Sequence, residues 1–260
     1  MQRVRRTKKD FISVVIPAYK QEKTIAQNLS VVKKILEGID CDFEIIVVVD
    51  GLNDKTFPNA KKIKSPKIKV LGYKNNRGKG YAVRYGMGRA VGTIVCFIDA
   101  GMDLDPKGIV TLLDYFKLYK ADIVIGSKRH TMSRVIYPWS RRIISFLSQI
   151  FVKILFGLNV KDTQVGLKMF RKEVVRDVLP RLLVKKFAFD IEFLVVAYAL
   201  GYKNIYEAPV EINHEFSASI ISKNIMRELF RTLWDTLAIF YRLNLVKYYT
   251  SEDKGKWKNY

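Results

Sequence analysis

Hydrophobic positions in the first half of the chain follow two alternating patterns. Short runs that are apolar at nearly every position predict strands buried on both faces of a sheet. Longer runs with an apolar stripe at every third or fourth position predict helices. The predicted strands cover residues 11–16, 43–49, 67–73, 93–98 and 121–125, and the helices between them cover residues 22–37, 79–91 and 106–120. This alternation predicts an α/β fold, with a doubly wound, Rossmann-like and mostly parallel sheet flanked by helices.

The second half of the chain is patterned differently. Two long segments, residues 141–158 and 219–244, carry apolar side chains at helical spacing on more than one face, with Lys and Arg at the margins. Such helices are typical of a membrane interface, although an apolar stripe is also what a core helix requires. Between them the pattern predicts a strand at 164–171, a helix at 189–200 and a strand at 203–210. No apolar stretch reaches membrane-spanning length without a charge.

The composition is that of a folded and strongly basic chain. Of its 260 residues, 49% are hydrophobic and 27% are charged, which is enough for a core and excludes a disordered tail. The formal net charge of +21 attracts polyanions such as nucleic acid, acidic lipid headgroups and phosphorylated substrates. Cys41 and Cys96 form no disulfide framework and no metal-binding spacing, which favours a reducing compartment. The basic N-terminus shows no secretory signal.

Turn residues, acids and bases follow four of the predicted strands. In doubly wound sheets the carboxyl ends of the strands form the ligand-binding edge, so these side chains are expected to converge there. The first strand is followed by Pro17, Ala18 and Tyr19, the second by Asp50, the fourth by Asp99, Ala100 and Asp103, and the fifth by Ser127, Lys128 and Arg129.

Asp99 and Asp103 are the candidates for a metal site at this edge. Two carboxylates on one turn can bind Mg²⁺ or Mn²⁺ together with the phosphate oxygens of a donor. The alternative is that they belong to a turn that begins the next helix. Lys79, at the start of a helix flanked by glycines, is a candidate for a phosphate contact. Asp50 could accept a hydrogen bond from a base or ribose, or it could serve a turn.

Six motifs recur in order over about residues 11–215. They are residues 13–19 (SVVIPAY), 44–51 (EIIVVVDG) with Asp54 and Thr56, 76–84 (NRGKGYAVR), 97–100 (FIDA), 126–129 (GSKR) and 162–170 (DTQVGLKMF). Together they resemble the family 2 glycosyltransferases of the GT-A fold. Within that family the series is similar to the polyprenyl-phosphate sugar synthases, typified by dolichol-phosphate mannose and dolichol-phosphate glucose synthases.

The resemblance implies a role for each matching position. Asp99 and Asp103 would hold the metal, and the transferred sugar would lie among Asp162, Gln164, Asp190 and Glu192. The implied donor-binding residues are Pro17, Ala18, Tyr19, Gln21, Glu22, Asp50, Lys79, Asp99 and Ala100. The implied contacts to an acceptor phosphate are Ser127, Lys128, Arg129, Arg141, Ser145 and Lys223.

The sequence departs from the family pattern at three places. The first loop usually reads Ala-Tyr-Asn-Glu-Glu, and here Lys20 and Gln21 replace its Asn and first Glu. The second usually reads Asp-Asp-Gly-Ser, and here Val49 and Leu52 replace the first Asp and the Ser. The metal motif usually reads Asp-Ala-Asp, but Gly101 stands in the third place and has no side chain to ligate a metal. Either Asp103 supplies the second carboxylate or the site holds metal more weakly.

These features lead to one expected function. We expect inverting transfer of a sugar from GDP-mannose, UDP-glucose or UDP-N-acetylglucosamine to a polyprenyl or dolichyl phosphate, at an anionic membrane surface on the cytoplasmic side. Because a phosphate acceptor is already ionised near neutral pH, no strong catalytic base is required. The expected division of the chain is a basic extension (1–10), a GT-A catalytic domain (11–215) with interfacial helices at about 133–158, and an amphipathic helix with a basic tail (216–260).

Three other functions fit part of the pattern. A family 2 transferase acting on a hydroxyl of a soluble glycan or protein would need a base, for which Asp190 and Glu192 are the candidates. A nucleic-acid-binding protein would account for the charge, but no helix-turn-helix, zinc or RNA-recognition signature is present in the sequence, so nucleic acid is not an expected partner. A dinucleotide oxidoreductase is disfavoured because the first strand ends in Pro17, Ala18 and Tyr19 and not in a glycine-rich turn.

Overall fold

One seven-stranded sheet organises the protein. The structure is a computed structural model that describes residues 10–133, 139–212, 225–251 and 257. The strands lie in the order β3-β2-β1-β4-β6-β5-β7. In chain order they are β1 (Phe11–Ala18), β2 (Asp42–Asp50), β3 (Ile68–Tyr73), β4 (Ile94–Ile98), β5 (Ile123–Ser127), β6 (Leu167–Arg171) and β7 (Ile205–Pro209).

The centre of the sheet is parallel and buried on both faces. In β1, Val14 pairs with Ile45 of β2 on one side and with Cys96 of β4 on the other, both in parallel register. Strand β2 is buried at every position from Phe43 to Asp50. These are the strands whose uninterrupted apolar runs predicted burial on two faces, and the mostly parallel α/β sheet is confirmed.

Strand β6 interrupts the parallel arrangement. It lies between β4 and β5 and is antiparallel to both, whereas β5 and β7 are parallel. The predicted strand at 164–171 contains β6 but begins three residues too early. Residues 164–166 form the loop before the strand, and the Gly166 carbonyl accepts a hydrogen bond from the Asp99 amide at 3.0 Å.

Helices cover both faces of the sheet. Helix α1 buries Ile25, Leu29, Val32 and Leu36, which is the stripe expected from the sequence. Helices α2 and α6 were missed by the pattern, because six or seven residues are too few to show a helical period. The helices are α1 (Ile25–Glu37), α2 (Thr56–Lys61), α3 (Lys79–Met87), α4 (Gly108–Leu118), α5 (Trp139–Phe156), α6 (Lys172–Val178), α7 (Phe189–Ala199) and α8 (Ile225–Phe240).

The two long helices of the second half are α5 and α8. Helix α8 continues into a π-helical turn at Tyr241–Leu245, and Phe240 contacts Phe156 of α5 with ring centroids 6.1 Å apart. The predicted helix at 219–244 begins before α8, and its residues 219–224 lie outside the described part of the chain. Among the described residues, no helix combines the length and the apolar character needed to cross a bilayer.

Helix α3 packs directly on the central strands through a glycine. A Cβ atom at Gly86 would lie 2.4 Å from Cγ1 of Val15 and 3.0 Å from Cγ2 of Val48. Both valines are fully buried, so neither can move aside easily.

We therefore expect Gly86→Ala to destabilise the fold. Overpacking lowers the free energy of unfolding by about 1–3 kcal/mol. The better helix propensity of alanine raises it by at most about 1 kcal/mol. Urea unfolding measures the difference. Gly101→Ala is the matched control, since its Cβ would meet only one atom, at 3.8 Å. Equal stability of the two variants would contradict this account of the α3 packing.

Candidate active site

A cleft opens at the carboxyl end of β4. Its wall combines residues from the loop after β4, the end of β5 and the loop before β6. The lining residues are Ile98, Asp99, Asp103, Leu104, Lys128, Gln164 and Gly166. Four residues predicted from the sequence as site residues, Asp99, Asp103, Lys128 and Gln164, are thus brought to one place.

A tight turn aims Asp99 and Asp103 into this cleft. The Met102 amide donates to the Asp99 carbonyl at 3.1 Å, and Met102 has a φ of +51°, in the left-handed region that L-residues rarely adopt. The chain then forms a bridge from Leu104 to Ile212. Asp103 Oδ1 comes within 3.8 Å of the position that a Cβ atom at Gly101 would occupy. A carboxylate from Asp103 thus lies beside the place where the family pattern has its second aspartate.

Lys79 forms an ion pair with Asp99. Its Nζ lies 2.9 Å from both Asp99 Oδ1 and Asp99 Oδ2, and 3.9 Å from Asp190 Oδ2. Burial opposes the charge on the ammonium, but the nearby carboxylates of Asp99 and Asp190 outweigh it and raise the pKa of Lys79 above its ordinary value. The Lys79 side chain is therefore held in its charged form beside the cleft.

Asp190 is paired from its other side by a lysine that the sequence analysis did not identify. Lys168 of β6 is fully buried, and its Nζ donates to Asp190 Oδ1 and to the Val165 carbonyl, each at 2.6 Å. Burial lowers the pKa of Lys168, against the opposing charge of Asp190. Lys168 belongs to the 162–170 motif, but only the fold shows which carboxylate it meets.

Glycines allow these elements to approach one another. A Cβ at Gly166 would lie 2.1 Å from Asp99 Oδ2, so a side chain there would displace the carboxylate. A Cβ at Gly80 would lie 2.5 Å from Cβ of Phe189, and one at Gly78 would lie 2.6 Å from the Lys185 carbonyl oxygen. The last two glycines bring the start of α3, with Lys79, against the start of α7, with Asp190.

Asp50 bonds to the loop that leads into α3. Its carboxylate is buried and accepts hydrogen bonds from the Arg77 amide at 2.7 Å, the Gly78 amide at 2.9 Å and Asn76 Nδ2 at 3.0 Å. Gly78 has a φ of +99°, which strongly favours glycine. Asp50 therefore holds the loop that leads into α3, which fits the turn role that the sequence left open, and its contact with a base or ribose stays a prediction.

Glu192 is also committed to the fold. It is fully buried, and its carboxylate accepts hydrogen bonds from the Leu183 amide at 3.0 Å, the Val184 amide at 2.8 Å and the Tyr249 hydroxyl at 2.7 Å. Burial raises the pKa of Glu192, although these three donors oppose the shift. Glu192 thus anchors the segment after α8 to α7, and its expected place at the sugar stays a prediction.

The remaining predicted donor-binding residues lie at the carboxyl end of β1 and in the loop after it. Ala18 is buried at the end of β1, and Tyr19 beside it is 41% exposed. The Gln21 amide donates to Thr56 Oγ1 at 2.8 Å, and Glu22 Oε2 accepts from the Lys55 amide at 3.0 Å. These bonds tie the first loop to α2. Pro17 also belongs to β1. Ala100 lies elsewhere, in the loop after β4, and its carbonyl accepts a hydrogen bond from Asn28 Nδ2 at 2.8 Å.

Apart from Lys128, the predicted acceptor-phosphate residues comprise one buried residue, two residues at or on α5, and two whose side chains lie outside the described part of the chain. Ser127 is fully buried, and its hydroxyl accepts a hydrogen bond from the Arg129 amide at 3.3 Å. Its role as a phosphate contact stays a prediction. The Arg129 guanidinium bonds to Gln149 Oε1 of α5 and to the Lys161 carbonyl, and lies 5.5 Å from the Phe146 ring. Ser145 is half-buried on α5. The Arg141 side chain and all of Lys223 lie outside the described residues.

The sequence pattern that defines glycosyl transferase family 2 matches residues 13–179. That span contains β1 from its third residue, all of β2 to β6 and every cleft-lining residue. Dolichyl-phosphate beta-glucosyltransferase of Dictyostelium discoideum is 32% identical over 248 residues, which cover 86% of this chain and 75% of the relative. The human protein of the same name is 30% identical over 208 residues, 72% of this chain and 62% of the relative.

Solved structures share the fold. Glucosyl-3-phosphoglycerate synthase from Mycobacterium tuberculosis, in complex with Mn²⁺, UDP and phosphoglyceric acid, superposes with a TM-score of 0.66 at 21% identity, covering 89% of this chain and 78% of that one. Mannosyl-3-phosphoglycerate synthase from Rubrobacter xylanophilus has a TM-score of 0.67 at 15% identity, covering 94% and 77%. The chain therefore has the GT-A fold that the motifs implied.

The Asp50 contacts generate a test of its structural role. In Asp50→Asn, one carboxylate oxygen becomes an NH2 group that cannot accept a hydrogen bond. Either the Arg77 amide, which bonds to Oδ1, or the Gly78 amide, which bonds to Oδ2, then loses its acceptor. Leaving a buried donor unsatisfied costs about 1–3 kcal/mol, and we expect that loss in urea unfolding. Asp42→Asn, at the exposed start of the same strand, should leave stability unchanged. An Asp50→Asn protein with wild-type stability and weakened nucleotide binding would restore the ligand role instead.

Proposed function

Because the chain belongs to glycosyl transferase family 2, we propose that it transfers a sugar from a nucleotide diphosphate to a polyprenyl or dolichyl phosphate, with inversion. The names of the Dictyostelium and human relatives favour glucose, and hence UDP-glucose as donor. The observation that carries the proposal is the cleft itself. It sets Asp99 and Asp103 opposite Lys128 and Gln164 at the ligand-binding edge of the sheet.

A hard divalent cation fits the donor set of this cleft. The side chain of Asp99 is 41% exposed, and Asp103 brings a second carboxylate close to Gly101. Among the described residues, no three His, Cys, Asp or Glu side chains form a metal-binding group. This suits Mg²⁺ or Mn²⁺, which takes its other ligands from water and phosphate. Bound there, the cation would neutralise the leaving nucleotide diphosphate.

The protein's own contribution is then mainly the positioning of charge. Lys79 forms an ion pair with Asp99. Lys128 and Arg129 follow β5, and their backbone amides and cationic side chains would bind the acceptor phosphate where it meets the sugar. Asp190 has a side chain only 4% exposed, and its carboxylate lies between two lysines. It is suited to orienting this network and poorly placed to collect a proton, which agrees with an acceptor that is already ionised.

The acceptor assignment can be tested directly. With UDP-glucose as donor, we expect transfer to polyprenyl phosphate and none to the corresponding unphosphorylated polyprenol, because only the phosphate brings its own ionised nucleophile. Product formation is followed by mass spectrometry. Equal turnover of the two lipids would replace the proposal with transfer to a hydroxyl group. GDP-mannose and UDP-N-acetylglucosamine, run in parallel, identify the donor.

A membrane surface is the proposed location of the acceptor. Helix α5 exposes Phe146, Leu147, Ile150 and Ile154, and their spacing puts them on one face. Helix α8 and its π-helical turn likewise expose Phe230, Leu233, Trp234, Leu237 and Tyr241 at helical spacing. Ile154 is 77% and Trp234 is 74% exposed. Two adjacent helices with apolar faces turned to solvent are typical of interfacial docking.

The charge of the chain supports the same proposal. An excess of 21 positive charges is attracted to the anionic leaflet of a membrane. Cys41 and Cys96 are free thiols, as expected in a reducing compartment. We therefore propose that the protein acts on the cytoplasmic face. The extension at 1–10, the catalytic domain at 11–215 and the tail at 216–260 remain our proposed division.

A paired substitution tests the docking face. The double variant Phe230→Ser and Trp234→Ser should reduce flotation with vesicles of phosphatidylserine and phosphatidylcholine by roughly tenfold or more, because each buried aromatic side chain contributes about 1.5–3 kcal/mol. The control is Val91→Ser with Leu118→Ser, which removes two apolar side chains that are also exposed but belong to neither helix. Equal losses in both variants would argue against a specific docking face.

A further inference from the structure

The Asp99 carboxylate already has a cation in the structure. Lys79 Nζ lies 2.9 Å from each of its two oxygens, so the ammonium bridges the carboxylate symmetrically. A divalent ion that binds Asp99 uses the same oxygens. The ammonium and the ion cannot share them without strong repulsion, since both are positive and would stand within a few ångströms of each other.

A second carboxylate lies within reach of the same ammonium. Asp190 Oδ2 is 3.9 Å from Lys79 Nζ, and Asp190 Oδ1 is held by Lys168. The ion pair with Lys168 therefore holds the Asp190 carboxylate in place. The Lys79 side chain is 21% exposed, whereas that of Lys168 is 1% exposed and bonded to both Asp190 and the Val165 carbonyl. A small rotation of the Lys79 side chain would exchange Asp99 for Asp190 without leaving the ammonium unpaired.

From this geometry we propose that Lys79 is a displaceable counter-ion of the metal site, which pairs with Asp99 when no divalent ion is present and shifts towards Asp190 when one binds. The inference rests on the proposed metal-dependent function and adds a positioning residue to it. Its consequence is that Lys79 lowers the affinity of the protein for metal alone. Donor diphosphate, which offers the displaced ammonium a new anionic partner, restores that affinity.

The backbone around Lys79 supports a local exchange. Lys79 is the first residue of α3, and the Tyr81 amide donates to the Lys185 carbonyl at 3.2 Å. Gly80 packs against Phe189, the residue before Asp190. The Cα of Lys79 is thereby held next to α7 while its long side chain can rotate. A shift of the ammonium between the two carboxylates therefore needs no movement of the helix.

The test measures Mn²⁺ binding without nucleotide, from the electron paramagnetic resonance signal of the free ion. Lys79→Gln should bind Mn²⁺ more tightly than wild type by about fivefold or more, the size of a coupling between charged groups in contact. Lys79→Arg, which keeps the charge, should stay close to wild type. Lys128→Gln removes one charge from the wall of the same cleft and measures the general electrostatic gain, which should be smaller than that of Lys79→Gln.

A double-mutant cycle tests the second position of the ammonium. Asp190→Asn should weaken Mn²⁺ binding in the wild-type background, because the Lys79 ammonium then has no second carboxylate with which to pair when the ion displaces it from Asp99. The same substitution should have little effect in Lys79→Gln. Thermal unfolding of each variant shows whether the protein remains folded despite the loss of the Lys168 partner. An equal effect of Asp190→Asn in both backgrounds would remove Asp190 from the exchange.

The outcomes separate this inference from the function on which it rests. If Lys79→Gln binds Mn²⁺ no better than wild type or Lys128→Gln, while Asp99→Asn abolishes binding, the counter-ion role is wrong and the metal site stands. If Asp99→Asn leaves Mn²⁺ binding intact in the Lys79→Gln background, the ion does not use Asp99, and the proposed metal site fails together with the counter-ion. Tighter binding in Lys79→Gln that Asp99→Asn abolishes supports both.

Discussion

Four side chains of alternating charge, Asp99, Lys79, Asp190 and Lys168, run from the cleft into the core. Each comes from a different element: the end of β4, the start of α3, α7 and β6. The side-chain exposure falls from 41% at Asp99 to 1% at Lys168. Buried charges are tolerated only when they are paired, so this row requires the four elements to keep their relative positions. The geometry of the site therefore depends on the packing of the elements beneath it.

Glycines and buried carboxylates satisfy that constraint in different ways. Gly166 and Gly80 let backbone approach to distances that any side chain would block, as their contacts with Asp99 and Phe189 show. Asp50 and Glu192 instead accept hydrogen bonds from backbone amides that no strand or helix satisfies. A buried amide without a partner costs more than a typical hydrogen bond contributes. These two acids therefore hold the loops before α3 and α7, and with them the positions of Lys79 and Asp190.

The cleft and the apolar face of α5 are physically connected. Arg129 follows β5, and its guanidinium bonds to Gln149 of α5 and lies against the Phe146 ring. Phe146 is itself half exposed on the apolar face of α5. Under the proposed function, a residue proposed for the acceptor phosphate thus contacts the helix proposed for the lipid. This arrangement suits a substrate whose reacting group is charged and whose remainder is insoluble in water.

The sequence was enough to predict the parallel core, the stripe of α1 and the ligand-binding edge, because apolar periodicity and turn residues are local properties. It also identified Asp99, Asp103, Lys128 and Gln164, which the cleft unites. The folded chain was needed to show that β6 runs antiparallel between β4 and β5, that Asp50, Ser127 and Glu192 bond to backbone amides, and that Lys168 pairs with Asp190. Those roles depend on which groups meet across the fold, and a carboxylate looks the same in a sequence whether it faces a substrate or a buried amide.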